Sequence, residues 1–399
     1  MTQIRDDDVL VIEGARTPWG RFLGGLRQQS ATQLAITAAR GAIERSALNP
    51  ECIDSVILGN VLQTSSDAAY LPRHVGLEVG APIESDALIV SRACGSALEA
   101  TIQAAKSIRL SEANILLVGG TENMSLAPYV IRNAREGLRM GHQPVEDSLM
   151  QSLFDAQAGC AIGQTVDALA KEYKISRAAA DEAALKGQEK SYTAQQRGIY
   201  AEEIMPVTCK THGKETLIDT DESLRPHITK STLAALPPLF SHDGVVTAGN
   251  STGLTDGAAV TVMASGTAAK QQNLTPLGRI VSWGVAGVPP LSMGIGPVAA
   301  SEKALKMAGL TINDMDVVEL NDSFSVQYLA VEKNLGLNPD KVNPNGGAIA
   351  LGHPMGATGS RLIISALYQL RRTQQRYGLC TVCIGGGQGI AVIVENLVR

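Results

Sequence analysis

Aromatic residues, cysteine and charge of one sign are all scarce in this chain. Aromatics make up only 4% of its 399 residues, with two tryptophans. Cysteine stands at positions 52, 94, 160, 209, 380 and 383, too sparsely for a disulfide scaffold, so a reducing compartment is expected. The net charge of −5 gives no global field for nucleic acid or a membrane surface. An anionic ligand would need a local basic pocket. No apolar run is long enough to span a bilayer. The stretch from Met1 to Val9, with Asp6, Asp7 and Asp8, is neither a secretory leader nor an Arg-rich transit peptide. The ending Asn-Leu-Val-Arg is not a peroxisomal address. A soluble cytoplasmic protein is the expectation.

What is abundant points to the fold. Hydrophobic residues are 44% of the chain and glycine occurs 40 times, which suits a large core and short loops in two or three domain-sized units. Short apolar runs alternate with Ala-rich helical spacings from Val9 to Gly120, and the alternation resumes near Ala258. The pattern predicts a mostly parallel, helix-covered sheet. Residues 121–245 are richer in proline, charge and turn residues, and read as an insertion lying over the sheet. There is also an internal echo. The helix after Cys94 leads to Ile-Leu-Leu-Val-Gly-Gly at 115–120, and the helix after Gly359 leads to Cys-Thr-Val-Cys-Ile-Gly-Gly-Gly at 380–387. This suggests two similar halves with reactive loops meeting between them.

Three stretches carry chemistry. Asn343 to Gly359 is a glycine-rich run with two prolines, read as a shaped loop rather than a helix or central strand. His353 is the only side chain in its middle that moves a proton near neutral pH. Cys94, in Ser-Arg-Ala-Cys-Gly-Ser-Ala, sits between a predicted strand, 87–91, and a predicted helix, 95–110, where the helix dipole would lower its pKa. The plainer reading of Cys94, a buried structural thiol, weighs equally on position alone. Cys380 and Cys383 form a Cys-x-x-Cys, but residues three apart in a strand face opposite ways and cannot pinch one metal. Cys383 is expected at an exposed strand end and Cys380 in the core. Glycines 385–387 precede a strand, so they fail as a dinucleotide loop and suit bare N–H donors for an oxyanion.

Taken together, Glu13-Gly-Ala-Arg-Thr-Pro18, Cys94-Gly-Ser, Gly119-Gly-Thr-Glu-Asn-Met-Ser125, Thr247-Ala-Gly-Asn250, Glu319-Leu-Asn321, Asn345-Gly-Gly-Ala-Ile-Ala-Leu-Gly-His-Pro354 and Cys383-Ile-Gly-Gly-Gly387 resemble the thiolase family along essentially the whole chain. These are CoA-dependent acyltransferases that make or cleave 3-oxoacyl-CoA. The resemblance implies an α/β fold of duplicated α/β/α/β/α layers, with two five-stranded mixed sheets and an inserted loop domain. The halves would be 1–120 with 246–275, and 276–399, around an insertion at 121–245.

It also implies roles. Cys94 would carry the acyl group, His353 would activate it, and Cys383 would be the second acid/base. Asn321 would hold a water sharing an oxyanion hole with His353, and the N–H groups of Cys94 and Gly385 would form another. Arg225, Thr232, Leu236, Phe240, Ala248 and Thr252 match CoA-contacting positions. CoA would be a co-substrate, with no permanently bound cofactor and no metal. The assembly would be a homodimer or homotetramer, paired through the nucleophile-bearing half with strand 113–120 at the interface; a different partner subunit is also conceivable.

Two departures stand out. The family's usual Asn-Glu-Ala-Phe is Asn321-Asp322-Ser323-Phe324 here, and the His-Met-Gly of acetoacetyl-CoA enzymes is Ala161-Ile162-Gly163. The second leaves room for a bulkier acyl group, so a degradative 3-oxoacyl-CoA thiolase is expected. The alternatives are an acetoacetyl-CoA-forming acetyltransferase, a decarboxylating or condensing relative, against which Cys383 argues, and a non-catalytic CoA- or lipid-binding subunit.

Overall fold

The computed structural model describes residues 4–211 and 214–398. The readings of the two termini therefore fall partly on residues outside the described ones.

The first half opens with strand β1 (Val9–Arg16) and helix α1 (Ala31–Ser46). Ser30 caps that helix: its hydroxyl accepts from the Gln33 N–H while the Gln33 side chain accepts from the Ser30 N–H. Then come β2 (Ser55–Gly59), α2 (Leu71–Glu78), β3 (Asp86–Val90), α3 (Ser96–Arg109) and β4 (Ile115–Glu122). The inserted segment contributes α4 (Ile162–Tyr173) and α5 (Arg177–Gln196). Strand β5 (Thr255–Ser265) returns to the first sheet.

The second half runs β6 (Gly278–Gly287), α6 (Gly296–Ala308), β7 (Val317–Leu320), α7 (Ser325–Leu335), α8 (Thr358–Thr373), β8 (Tyr377–Ile384) and β9 (Gln388–Asn396). The strand order is β7-β8-β9-β6-β1-β5-β4-β2-β3.

Each half uses the same plan. In the first, β3, β2 and β4 are parallel, while β4–β5 and β5–β1 are antiparallel. In the second, β7 and β8 are parallel, while β8–β9 and β9–β6 are antiparallel. A single parallel bridge between Val318 and Val342 stands where a fifth strand would lie. The two sheets meet through one short ladder, Leu10–Arg279 and Val11–Gly278.

The sheets are thus mixed, not mostly parallel as the alternation suggested. The reason is connection length: β8 and β9 are joined by only Gly385 to Gly387, a hairpin that forces antiparallel pairing.

The core is layered. Helix α1 and the outer face of the first sheet share one cluster, including Leu34, Ala38, Leu58 and Val260. Leu98 and Ile102 of α3 and Leu362 and Ile363 of α8 fill the middle, between both sheets. A third cluster, with Ala300 and Val331, covers the second sheet with α6 and α7. Close contact in the middle needs glycine: a Cβ at Gly359 would lie 2.5 Å from the Leu98 nitrogen.

The inserted segment is tied down by buried charge. Arg16, at the end of β1, pairs with Glu203 and Asp221 at 2.8 and 2.7 Å.

Two edge expectations are corrected. Strand 115–122 lies inside the sheet between β2 and β5 with every residue buried, so it cannot be a subunit interface. Among the described residues the open edge of the first sheet is β3, whose apolar run at 87–91 reads in sequence as a buried strand, yet Leu88 is 46% exposed. The run 343–359 also contains one helical turn, Ala348–Leu351, contrary to a pure loop. Its Ala-Ile-Ala-Leu stretch is long enough for one turn between flanking glycines. Among the described residues, no helix is long and apolar enough to cross a membrane.

Candidate active site

Cys94 is delivered by a tight turn between β3 and α3. Ala93 takes a left-handed backbone with φ of +42°, an uncommon conformation for a residue with a Cβ. Ser96 holds the turn, accepting from the Arg92 N–H and donating to the Ala93 carbonyl. Gly95 has no room for a side chain, since a Cβ would meet Ile384 at 2.6 Å.

His353 comes from the other half and crosses between the two. The carbonyl of Gly356 lies against Gly59, which ends β2, and Gly120 of β4: a Cβ on Gly59 or Gly120 would fall 2.8 or 1.8 Å from it. That is the structural use of the glycine pair at 119–120. Glu122 clamps the same crossing, accepting from the Gly356 N–H at 3.0 Å and from Leu62 and Asn60.

The imidazole is oriented from behind. Nδ1 lies 2.6 Å from the Thr358 hydroxyl, which donates to the Pro354 carbonyl and so receives Nδ1–H. That leaves the Nε2 lone pair toward the Asn321 amide, 3.4 Å away. Burial, with a lesser push from Arg361, holds the imidazole pKa down to about 3, so the ring is a neutral base.

Cys94, His353, Cys383 and Gly385 line one cavity of about 560 Å³. Its walls are mainly apolar, among them Met124, Leu153, Phe154, Ile162, Leu254 and Met355. The backbone N–H groups of Gly385 and Cys94 favour a thiolate at the Cys94 sulfur, against the larger effect of burial. Gly386 and Gly387 adopt φ of +84° and +82°, which shapes the hairpin that presents Gly385. Asn321 stands behind His353 with its Oδ1 buried and without a protein partner among the described residues.

Two electrostatic expectations change. The Cys94 thiol is pushed up to about 11, not down. A helix N-terminus is worth at most about 2 kcal/mol, roughly one to one and a half pKa units, whereas burial moves a group by several units. Burial wins, and the resting thiol is neutral. Cys383 is buried, not exposed, and burial and then Cys94 push its thiol up to about 12. Cys380 is in the core behind it, so the two cysteines of the Cys-x-x-Cys belong to different clusters.

The CoA-matching positions divide. Phe240 and Thr252 line the cavity. Arg225 donates to the Ala248 carbonyl at 3.1 Å, and Leu236 lies over Gly249, in the turn that leads to Thr252. Thr232 is exposed beside the cap of the short helix Lys230–Ala234. Arg225, Thr232, Leu236 and Ala248 do not border the cavity itself.

Asp322 faces away from the chemistry: it accepts from the Ala348 N–H at 2.5 Å and holds the His353 loop.

Sequence reasoning missed Thr358, Ser323, Glu122 and the strained Ala93. Thr358 left a faint signal, a hydroxyl at the start of the helix that follows the histidine.

Comparison with known proteins bears on the whole chain. A profile described as thiolase, N-terminal domain, matches residues 9–267, and one described as thiolase, C-terminal domain, matches 274–396. The human mitochondrial 3-ketoacyl-CoA thiolase is 47% identical over 390 residues, covering 97% of this chain and 98% of that one. An acetyl-CoA acetyltransferase of Escherichia coli is 43% identical, covering 97% and 99%. The crystal structure of the human mitochondrial enzyme in complex with CoA superposes with a TM-score of 0.95 at 45% identity, covering 99% and 100%. With both halves matched and the reactive loops joined in one cavity, the chain belongs to the thiolase family and is an acyltransferase that uses CoA as a co-substrate.

Proposed function

We propose that this enzyme is a degradative 3-oxoacyl-CoA thiolase acting on an acyl group larger than acetyl. The observation that supports it most is the apolar wall beside Cys94, where Ala161 and Ile162 stand in place of a histidine and a methionine.

In this reading, Nε2 of His353 takes the Cys94 proton as the sulfur attacks the 3-oxo carbon. Breaking the adjacent carbon–carbon bond leaves the acyl group on Cys94 and a carbanion on the departing acetyl-CoA. Cys383 protonates that carbanion, then takes the thiol proton of incoming CoA, whose sulfur removes the acyl group. Developing negative charge falls on the Cys94 and Gly385 N–H groups, and on His353 with a water held by Asn321. Arg225, Thr232, Leu236, Phe240, Ala248 and Thr252 serve CoA.

The same reading divides the chain into halves 1–120 with 246–275, and 276–399, around the 121–245 insertion. It places the enzyme in the cytoplasm as a homodimer or homotetramer, with the open edge of β3, just before Cys94, as the pairing face. Light scattering at micromolar concentration checks the assembly; a monomer removes it.

A panel of 3-oxoacyl-CoA substrates with CoA, read as acetyl-CoA release, tests the function. Higher kcat/KM for longer or bulkier chains is expected. A preference of about tenfold or more for acetoacetyl-CoA, one to two kcal/mol in this pocket, overturns the substrate assignment.

A further inference from the structure

Ser323 replaces the alanine of the family's Asn-Glu-Ala-Phe and lines the cavity with Cys94, His353 and Cys383. The residue is 5% exposed, and its hydroxyl accepts from the Asn321 amide at 2.8 Å. The Cys383 thiol reaches the same oxygen at 3.9 Å. The backbone of Ser323 is fixed independently, its carbonyl accepting from the Thr252 N–H at 2.8 Å. The hydroxyl therefore receives two donors, and its own hydrogen is free to turn toward sulfur.

We propose that Ser323 is a positioning residue for the second acid/base, its O–H donating to the Cys383 sulfur whenever that sulfur is a thiolate. This deepens the role given to Cys383 above and rests on it. When Cys383 gives its proton to the departing carbanion, the S–H bond breaks and a C–H bond forms. Negative charge is left on sulfur in a cavity with few polar groups. Ser323 then rotates from acceptor to donor, and the chain Asn321 N–H to Ser323 O–H to Cys383 sulfur is aligned in one direction. Each link polarises the next. The thiolate is later quenched by the thiol proton of CoA, and Ser323 returns to accepting. No proton leaves the hydroxyl.

Among the described side chains the surroundings leave this task to Ser323, which acts beside the backbone N–H of Cys383 itself. Cys94 and Asp322 both raise the proton affinity of Cys383, and His353 across the cavity is held neutral. The side chains of Ile162, Met293 and Phe324 in the same cluster are apolar. On α4, Asp167 is turned to the Val245 and Val246 N–H groups.

The test uses the full enzyme with Ser323→Ala, Ser323→Thr and Cys383→Ala. Three readouts are taken: thiolysis across pH, the acyl-enzyme burst from an activated thioester by mass spectrometry, and thermal melting. Ser323→Ala should fold, keep the burst, and lose about ten- to a hundredfold in turnover, the worth of one hydrogen bond to a charged group. The Cys383-linked limb of the pH–rate profile should move up by about one to two units. Ser323→Thr, which keeps the hydroxyl, should restore both.

A Ser323→Ala enzyme with an unchanged pH profile, while Cys383→Ala is inactive, overturns the Ser323 assignment alone. A loss that slows the burst equally and leaves the limb in place means that Ser323 only braces Asn321, and also overturns it. Full turnover by Cys383→Ala removes the role of Cys383 and this inference together.

Discussion

The two halves of the molecule share a topology and divide the chemistry. In the first, the turn from β3 to α3 is short and strained, with Ala93 at a positive φ, and it holds the Cys94 thiol still. In the second, the matching connection to α8 is a long loop that leaves its own half and rests on Gly59 and Gly120 of the other. It brings the His353 imidazole. The β8–β9 hairpin of the second half then adds Cys383 and the Gly385 N–H. Duplication gave two equivalent loops; the difference in their length and glycine content let one cross to meet the other. The edges differ as well. The first sheet ends in the open strand β3, while at the corresponding place the second has only the Val318–Val342 bridge, and the Val342 carbonyl there is taken by Lys190 of the inserted segment at 2.8 Å.

The sharpest way to probe this division is to remove one cysteine from each half. Cys94→Ala should abolish the acyl-enzyme and lower thiolysis by at least about a thousandfold. Cys383→Ser should keep acylation by an activated thioester, yet cost about a hundredfold or more in turnover. Mass spectrometry of the trapped intermediate beside steady-state rates gives both numbers. Equal loss of acylation in the two variants would erase the distinction between the halves. Alkylation of Cys94 by iodoacetamide gives a further readout of its protonation. With its pKa near 11, that labelling should accelerate as pH rises.

A smaller effect concerns His353 and stability. Its pKa is depressed from 6.5 to about 3 in the folded chain, so unfolding takes up a proton at any pH between those values. The stability linked to the neutral ring is present above about pH 6.5 and lost as pH falls toward 3. Between about pH 7 and pH 5 the loss is on the order of 1–2 kcal/mol. His353→Asn should remove that part of the slope. Melting curves of both proteins at the two pH values check it, and parallel slopes would mean that the ring is not held neutral by its crossing into the first half.

The smallest effect belongs to the inserted segment, which has no counterpart in the second half. Arg225 is exposed, and among the described residues its guanidinium donates only to the Ala248 carbonyl, while its backbone N–H bonds the Gln188 side chain. Arg225→Ala should raise KM for CoA by about three- to tenfold with kcat little changed, and the gap should narrow at high salt. No change in KM would mean that Arg225 is a solvated charge that serves only its own turn.

Much of this was legible in order along the chain. Helix and strand periodicity placed α3 and α8, and the repeated strand–glycine endings exposed the duplication. The reading went wrong where an answer depended on neighbours distant in sequence. The run 113–120 looked apolar enough for an interface because a central strand and an interface strand have the same composition. Cys383 looked exposed because it ends an apolar run, but α4, Phe324 and Met293 cover it. Thr358 and Ser323 are ordinary hydroxyls until folding sets one behind His353 and the other beside Cys383.

The sequence by itself determined the family and singled out Cys94, His353 and Cys383, because those residues sit in local motifs whose backbone demands are written in glycine and proline. Only the tertiary structure decided their protonation states. Whether a helix dipole or burial governs Cys94 depends on how much water the assembled cavity admits. Two sheets, two central helices and an inserted segment close around it, and the resulting desolvation leaves a neutral thiol beside a neutral imidazole.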